Sequence, residues 1–159
     1  MKSTAPTMLL AAAVLASAAS AAAVDMNKHL QPLAHLIGKT WKGTVSPPGA
    51  AKPAVDVSRF ELALNGQAVR VLHSVNDGAY GGETIIWWDL ARNQIAYQYF
   101  TTAGFMTSGT MTVEGGKLTA VEKVSGGSNV AEVRSTSEIR PDGTMISKAE
   151  YFDKDGKMT

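Results

Sequence analysis

The chain holds three histidines and no cysteine. Its chemistry must therefore come from imidazole, carboxyl, hydroxyl and aromatic groups. Disulfides, thiolate metal sites and cysteine nucleophiles are excluded. His29 and His35 stand six residues apart in a stretch of helical pattern. Six residues turn an α-helix by about 600°, so the two do not share a face and form no metal pair. His73 is different. It has the parity of Val69, Val71 and Val75, which puts an imidazole on the apolar side of a strand. There it could be a base, a hydrogen-bond donor to a ligand, a haem ligand or a core residue. No second histidine or carboxylate stands at ligand spacing, so neither a metal nor another cofactor is expected.

Aromatic and small hydroxyl residues form the second constellation. Trp87, Trp88, Tyr97, Tyr99, Phe100 and Phe105 lie in the middle of the chain, with Thr101, Thr107, Ser108, Ser135 and Ser137 among or after them. Small hydroxyl groups opposite large rings leave space and offer polar contacts, the recipe for an amphipathic pocket. His73, Trp88, Tyr97 and Tyr99 are the expected wall residues. Glu122, Glu132 and Glu138 are interleaved with Lys123, Arg134 and Lys148, which reads as a solvated outer face of mixed charge. There is no Gly-x-Ser-x-Gly elbow for a nucleophile. The glycine pairs open no helix, so a phosphate cradle is not expected.

These side chains need a scaffold. Residues 25–38 carry the one helical pattern, with Asp25 as an expected cap and Gly38 as a stop. Pro32 limits it to a short helix. Beyond Gly38 the period becomes two, and turn signals recur about every ten residues. Asn65-Gly66 is the strongest hairpin signal, and Gly81-Gly82, Arg92-Asn93, Gly115-Gly116 and Asp142-Gly143 mark further turns. Nine strands and a stub, Lys157 to Thr159, are expected. The fold class is all-β: an antiparallel up-and-down β-barrel of about 8–10 strands with a short N-terminal helix.

Residues 1–23 read as a cleaved signal peptide: Lys2, an apolar run from Met8, then Ser20-Ala21-Ala22-Ala23. The run is too short to span a bilayer. Residues 24–159 form a single domain, expected to be periplasmic or secreted. Charged residues make up 18% of the chain, 15 basic against 14 acidic. That balance argues against a nucleic-acid partner bound through a broad basic face.

The segment Leu36-Ile37-Gly38-Lys39-Thr40-Trp41-Lys42-Gly43 follows the helix. It resembles the first strand of the calycin superfamily, in particular bacterial lipocalin-like domains with a Leu-x-Gly-x-Trp-x-Gly motif. Here two residues, not one, separate the glycine from the tryptophan. The resemblance extends from Leu30 to about Phe152 and implies a lipocalin-like barrel in which Trp41 packs near the closed end. It implies an exported protein that sequesters a small hydrophobic or amphipathic molecule. The alternative is an enzyme using His73 with a tyrosine for proton transfer in the same cavity. A filled-core interaction domain is a third reading, with a second copy pairing through the last strand to give a homodimer. Haem chemistry like that of nitrobindin would lack a proximal ligand, because no histidine follows His73.

Overall fold

The computed structural model describes residues 24–46, 51–127 and 129–159. The expected signal peptide, residues 1–23, lies outside the described residues. Nine strands run in chain order through one sheet: β1 (Thr40–Val45), β2 (Ala54–Ala63), β3 (Ala68–Val75), β4 (Tyr80–Asp89), β5 (Gln94–Thr101), β6 (Met106–Glu114), β7 (Lys117–Ser125), β8 (Glu132–Ile139) and β9 (Met145–Phe152). Every neighbouring pair is antiparallel, and each strand pairs with the next. The sheet is an all-β up-and-down meander curled into a half-barrel. Among the described residues β1 and β9 are not paired with each other, so the curl has two free flanks. Beyond β9 the chain turns back, and Met158 bridges Phe152. This short return occupies part of the β9 edge.

Gly81 and Gly82 lie inside β4 rather than in a turn. They pair with Ser74 and His73 of β3. A Cβ on Gly81 would lie 2.4 Å from the His73 carbonyl oxygen, so the absence of a side chain permits this close pairing. The β2–β3 connection spans Leu64 to Gln67, with Leu64, Asn65 and Gly66 all at positive φ.

The helix is a 3-10 helix, Lys28–Leu36. Its cap is Asn27 rather than Asp25: the Asn27 side chain accepts a hydrogen bond from the His29 amide at 3.0 Å. A 3-10 helix has 3.0 residues per turn, so positions three apart fall in one straight row. Leu30, Leu33 and Leu36 are such a row, and all three are buried. An α-helix would fan them over an arc of about 120°, and Pro32 would break its hydrogen-bond ladder. The leucine row packs on the inner face of the sheet, against a core that includes Val69, Ile86, Ile95 and Met111. Trp41 packs at the border of this core.

Unbroken registers across the sheet assign each side chain to a face. Phe60, Val71, Thr84, Tyr99, Thr107 and Val124 form one inner row. Leu62, Val69, Ile86, Tyr97, Gly109, Glu122, Val133 and Tyr151 form the next. By the same alternation the strand lysines and arginines — Lys42, Arg59, Arg70, Lys117, Lys123, Arg134 and Lys148 — all point outward. There they meet acids, as Arg70 meets Glu61 and Lys123 meets Glu132.

Leu33 is 1% exposed. Truncating a leucine in a tight core costs about 2–5 kcal/mol. Leu33→Ala is therefore expected to lower unfolding free energy by that amount in urea titration. Lys28→Ala, at an exposed position of the same helix, should change it by less than about 0.5 kcal/mol.

Candidate functional site

The half-barrel interior has two ends of different character. The helix covers the end where β2 finishes and β3 begins. At the other end β2, β3, β4 and β5 contribute Asp56, His73, Tyr80 and Tyr99 to the inner face. His73 Nδ1 lies 2.8 Å from Asp56 Oδ1, with both side chains a little over one-fifth exposed. Oδ1 is buried and has no hydrogen-bond partner, so its approach to the imidazole is a close charge contact without hydrogen-bond geometry. Ser58, directly opposite His73, sits 3.5 Å from both Asp56 Oδ2 and His73 Nδ1. The Tyr80 and Tyr99 rings stand nearly perpendicular to the imidazole, at centroid separations of 5.8 and 6.0 Å.

The phenols are themselves connected. Tyr99 donates its hydroxyl hydrogen to the Tyr80 oxygen at 2.9 Å. Tyr97 shares an inner row with Glu122, across Gly109 on the strand between them, and lies within its electrostatic reach. Glu122 accepts from the Thr107 hydroxyl at 2.5 Å, and Thr107 is almost fully buried. Tyr151, from β9, lies within the electrostatic reach of Glu122 and Tyr80. The two groups thus approach each other across the concavity. All four tyrosines of the chain are on this face.

Two glycines seat two of the rings. A Cβ on Gly109, the cross-strand partner of Tyr97, would lie 2.8 Å from that ring. A Cβ on Gly82 would lie 2.5 Å from the Tyr99 ring. Because neither glycine carries a side chain, the rings can come this close to the sheet. A strand position that weakens the sheet on its own becomes the floor of the site.

His73, Tyr97 and Tyr99 therefore share the inner face, as their parity implies. Trp88 shares it too, but at the helix end. There it stacks on His29 with centroids 4.1 Å apart and rings 5° from parallel. The helix covers Trp88 instead of leaving it beside the other three. His35 is exposed. It borders a cleft of about 20 Å³ between helix and sheet, room for a single water. A second cleft, about 120 Å³, lies over Lys117, Thr136 and Lys148, away from the tyrosines.

Sequence reasoning missed Asp56, Tyr80, Glu122 and Tyr151. Glu122 corrects the expectation of a solvated glutamate. It shares parity with Leu118, Ala120 and Val124, and that apolar company marks the inner face. Its outward neighbours Lys123 and Glu132 suggested the opposite. Asp56 has the parity of Ser58, Phe60 and Leu62, a usable signal. Tyr80 was hidden by the glycine pair that follows it, which imitates a turn. Ser108 points outward, whereas Thr101, Thr107, Ser135 and Ser137 point in.

No group of three or more histidine, aspartate or glutamate side chains suited to a metal ion occurs among the described residues. No described helix is long and apolar enough to cross a membrane. Comparison with protein-family models finds no match, and comparison with curated protein sequences finds none either.

Burial raises the pKa of the Tyr97 phenol well above its ordinary value, and the adjacent Glu122 charge raises it further. Tyr99 is raised by burial and by its bond to Tyr80. Tyr151 is raised by burial and by Glu122. A raised folded-state pKa stabilises the fold below the unfolded value of about 10, and that stability is lost as pH climbs above it. These three phenols should therefore remain protonated in the folded protein at about pH 10–11 and ionise together as it unfolds. Phenolate absorbance followed beside circular dichroism checks this. Full ionisation with the fold intact would contradict it.

Proposed function

We propose that this is an exported protein that binds a small amphipathic molecule on the concave face of the half-barrel. One observation carries the reading: the interior is divided along its length into an apolar half and a polar half. Val69, Ile86 and Ile95 form the former beneath the helix, and half-buried Phe60, Val75 and Val124 carry apolar surface on to the open end. Asp56, His73, Tyr80, Tyr99 and Glu122 line the latter. A molecule with one apolar and one polar end matches both. Its tail is removed from water at about 25 cal/mol per Å² of apolar surface buried. Its head is oriented by the few polar groups, as in small-molecule pockets generally. The half-barrel and the short covering helix agree with the resemblance to lipocalin-like barrels. Residues 1–23 fit the export signal.

The neutral dye N-phenyl-1-naphthylamine tests this reading. Its fluorescence rises in apolar surroundings, and a saturable rise with a stoichiometry near one is expected. Val124→Asp, at a half-buried position of the inner face, should abolish the rise while circular dichroism stays unchanged. Absence of a saturable rise in the wild type would defeat the proposal.

A second reading is favoured by the 2.8 Å approach of Asp56 to His73 Nδ1. A carboxylate on one ring nitrogen orients the imidazole and leaves Nε2 to act as a base. The protein would then move a proton on its bound molecule. The elimination of 5-nitrobenzisoxazole requires only a positioned base. The base takes the C–H proton, the N–O bond breaks, and a nitrophenolate is released. A rate above that of free imidazole at equal concentration, lost in His73→Gln, is expected on this reading. A rate no greater than free imidazole would leave binding alone.

A further inference from the structure

The charges of the sheet are segregated by face. Among the described strand residues, every lysine and arginine points outward. Two carboxylates, Asp56 and Glu122, point inward with all four tyrosines. Neither carboxylate forms an ion pair with a lysine or arginine among the described residues. Asp56 meets His73 and the Ser58 hydroxyl, and Glu122 meets the Thr107 hydroxyl. We infer that the polar end of the bound molecule is an organic cation, a protonated amine or a quaternary ammonium group. The inference rests on the binding reading above and deepens it.

Three arguments select a cation. The first is the cost of covering the site. A neutral guest that displaces water from Asp56 and Glu122 leaves two carboxylates poorly solvated and unpaired, which is unfavourable. A cationic guest supplies the missing partner. The second concerns the phenols. Tyr99 spends its hydrogen on Tyr80, and Thr107 spends its hydrogen on Glu122. Those two donors are closed to an anion, and what the Tyr97 and Tyr99 rings add is their electron-rich faces. Those faces attract ammonium groups. The third is the placement of Tyr97 and Tyr99 on Gly109 and Gly82. With no side chain on either glycine, the rings lie close to the inner wall, where an ammonium group can meet them.

Three isosteric probes distinguish the possibilities: 4-phenylbutylamine, 4-phenylbutanol and 4-phenylbutyrate, each measured by calorimetry on the full mature chain at neutral pH. The amine should bind about tenfold or more tighter than the alcohol, a difference in the range of a cation over aromatic faces with an added charge partner. The carboxylate should bind weakest. Glu122→Gln and Asp56→Asn should each reduce the amine's advantage over the alcohol several-fold. The wild-type ranking stands even if a variant fails to fold. Equal affinities, or a preference for the carboxylate, would overturn the cation inference while leaving the binding reading intact. Binding by none of the three, with no saturable dye signal, would remove both.

Discussion

Burial of Leu30, Leu33 and Leu36 against the inner face is the contact on which the curled sheet depends. A nine-stranded sheet whose first and last strands do not pair has no ladder to hold its curvature. Its apolar inner side needs a cover, or water would wet it. The 3-10 helix provides that cover with one straight row of leucines. The row is possible because the residues are spaced by three and because Pro32 lies off it. The outer side needs no cover, since its lysines and arginines alternate with acids. Surface pairs such as Arg70–Glu61 contribute little stability individually. Their importance is that they keep this face in water and so decide which way the sheet turns.

The helix covers only part of the interior. The remaining part is where side chains costly to bury accumulate: a histidine beside an aspartate, and a glutamate between a threonine and a tyrosine. Each has a polar neighbour, as low-dielectric surroundings demand. The arrangement joins strands distant in sequence. Asp56 is on β2, Glu122 on β7 and Tyr151 on β9. Curvature, rather than any single loop, brings them towards one another. That is why the same sheet can be a hydrophobic core at one end and a polar concavity at the other.

Period-two alternation made most of the fold legible, because a half-buried strand declares its faces in its residues. Val69, Val71 and Val75 placed His73 correctly, and Ile95 placed Tyr97 and Tyr99. The helix was legible in position but not in type, since leucines three apart satisfy both helical periods over so short a stretch. Within the site, the residues that escaped were those whose local context spoke more loudly than their parity. Glu122 is followed by a lysine, and Tyr80 precedes two glycines. Trp88 had the right face but the wrong end, because alternation says nothing about distance along a strand to a covering helix. Nor does it give partners. The meeting of Asp56 with His73 follows from the β2–β3 register, which no single strand contains.

The unjoined flanks have a mechanical consequence. With no ladder between β1 and β9 among the described residues, the breadth of the concavity is set by the twist of the sheet, a soft coordinate compared with a closed ring of hydrogen bonds. A guest touching Asp56 on one flank and Tyr151 on the other would serve as a removable brace. Occupancy and stiffness then rise and fall together, and guests of somewhat different girth can be clasped by the same wall.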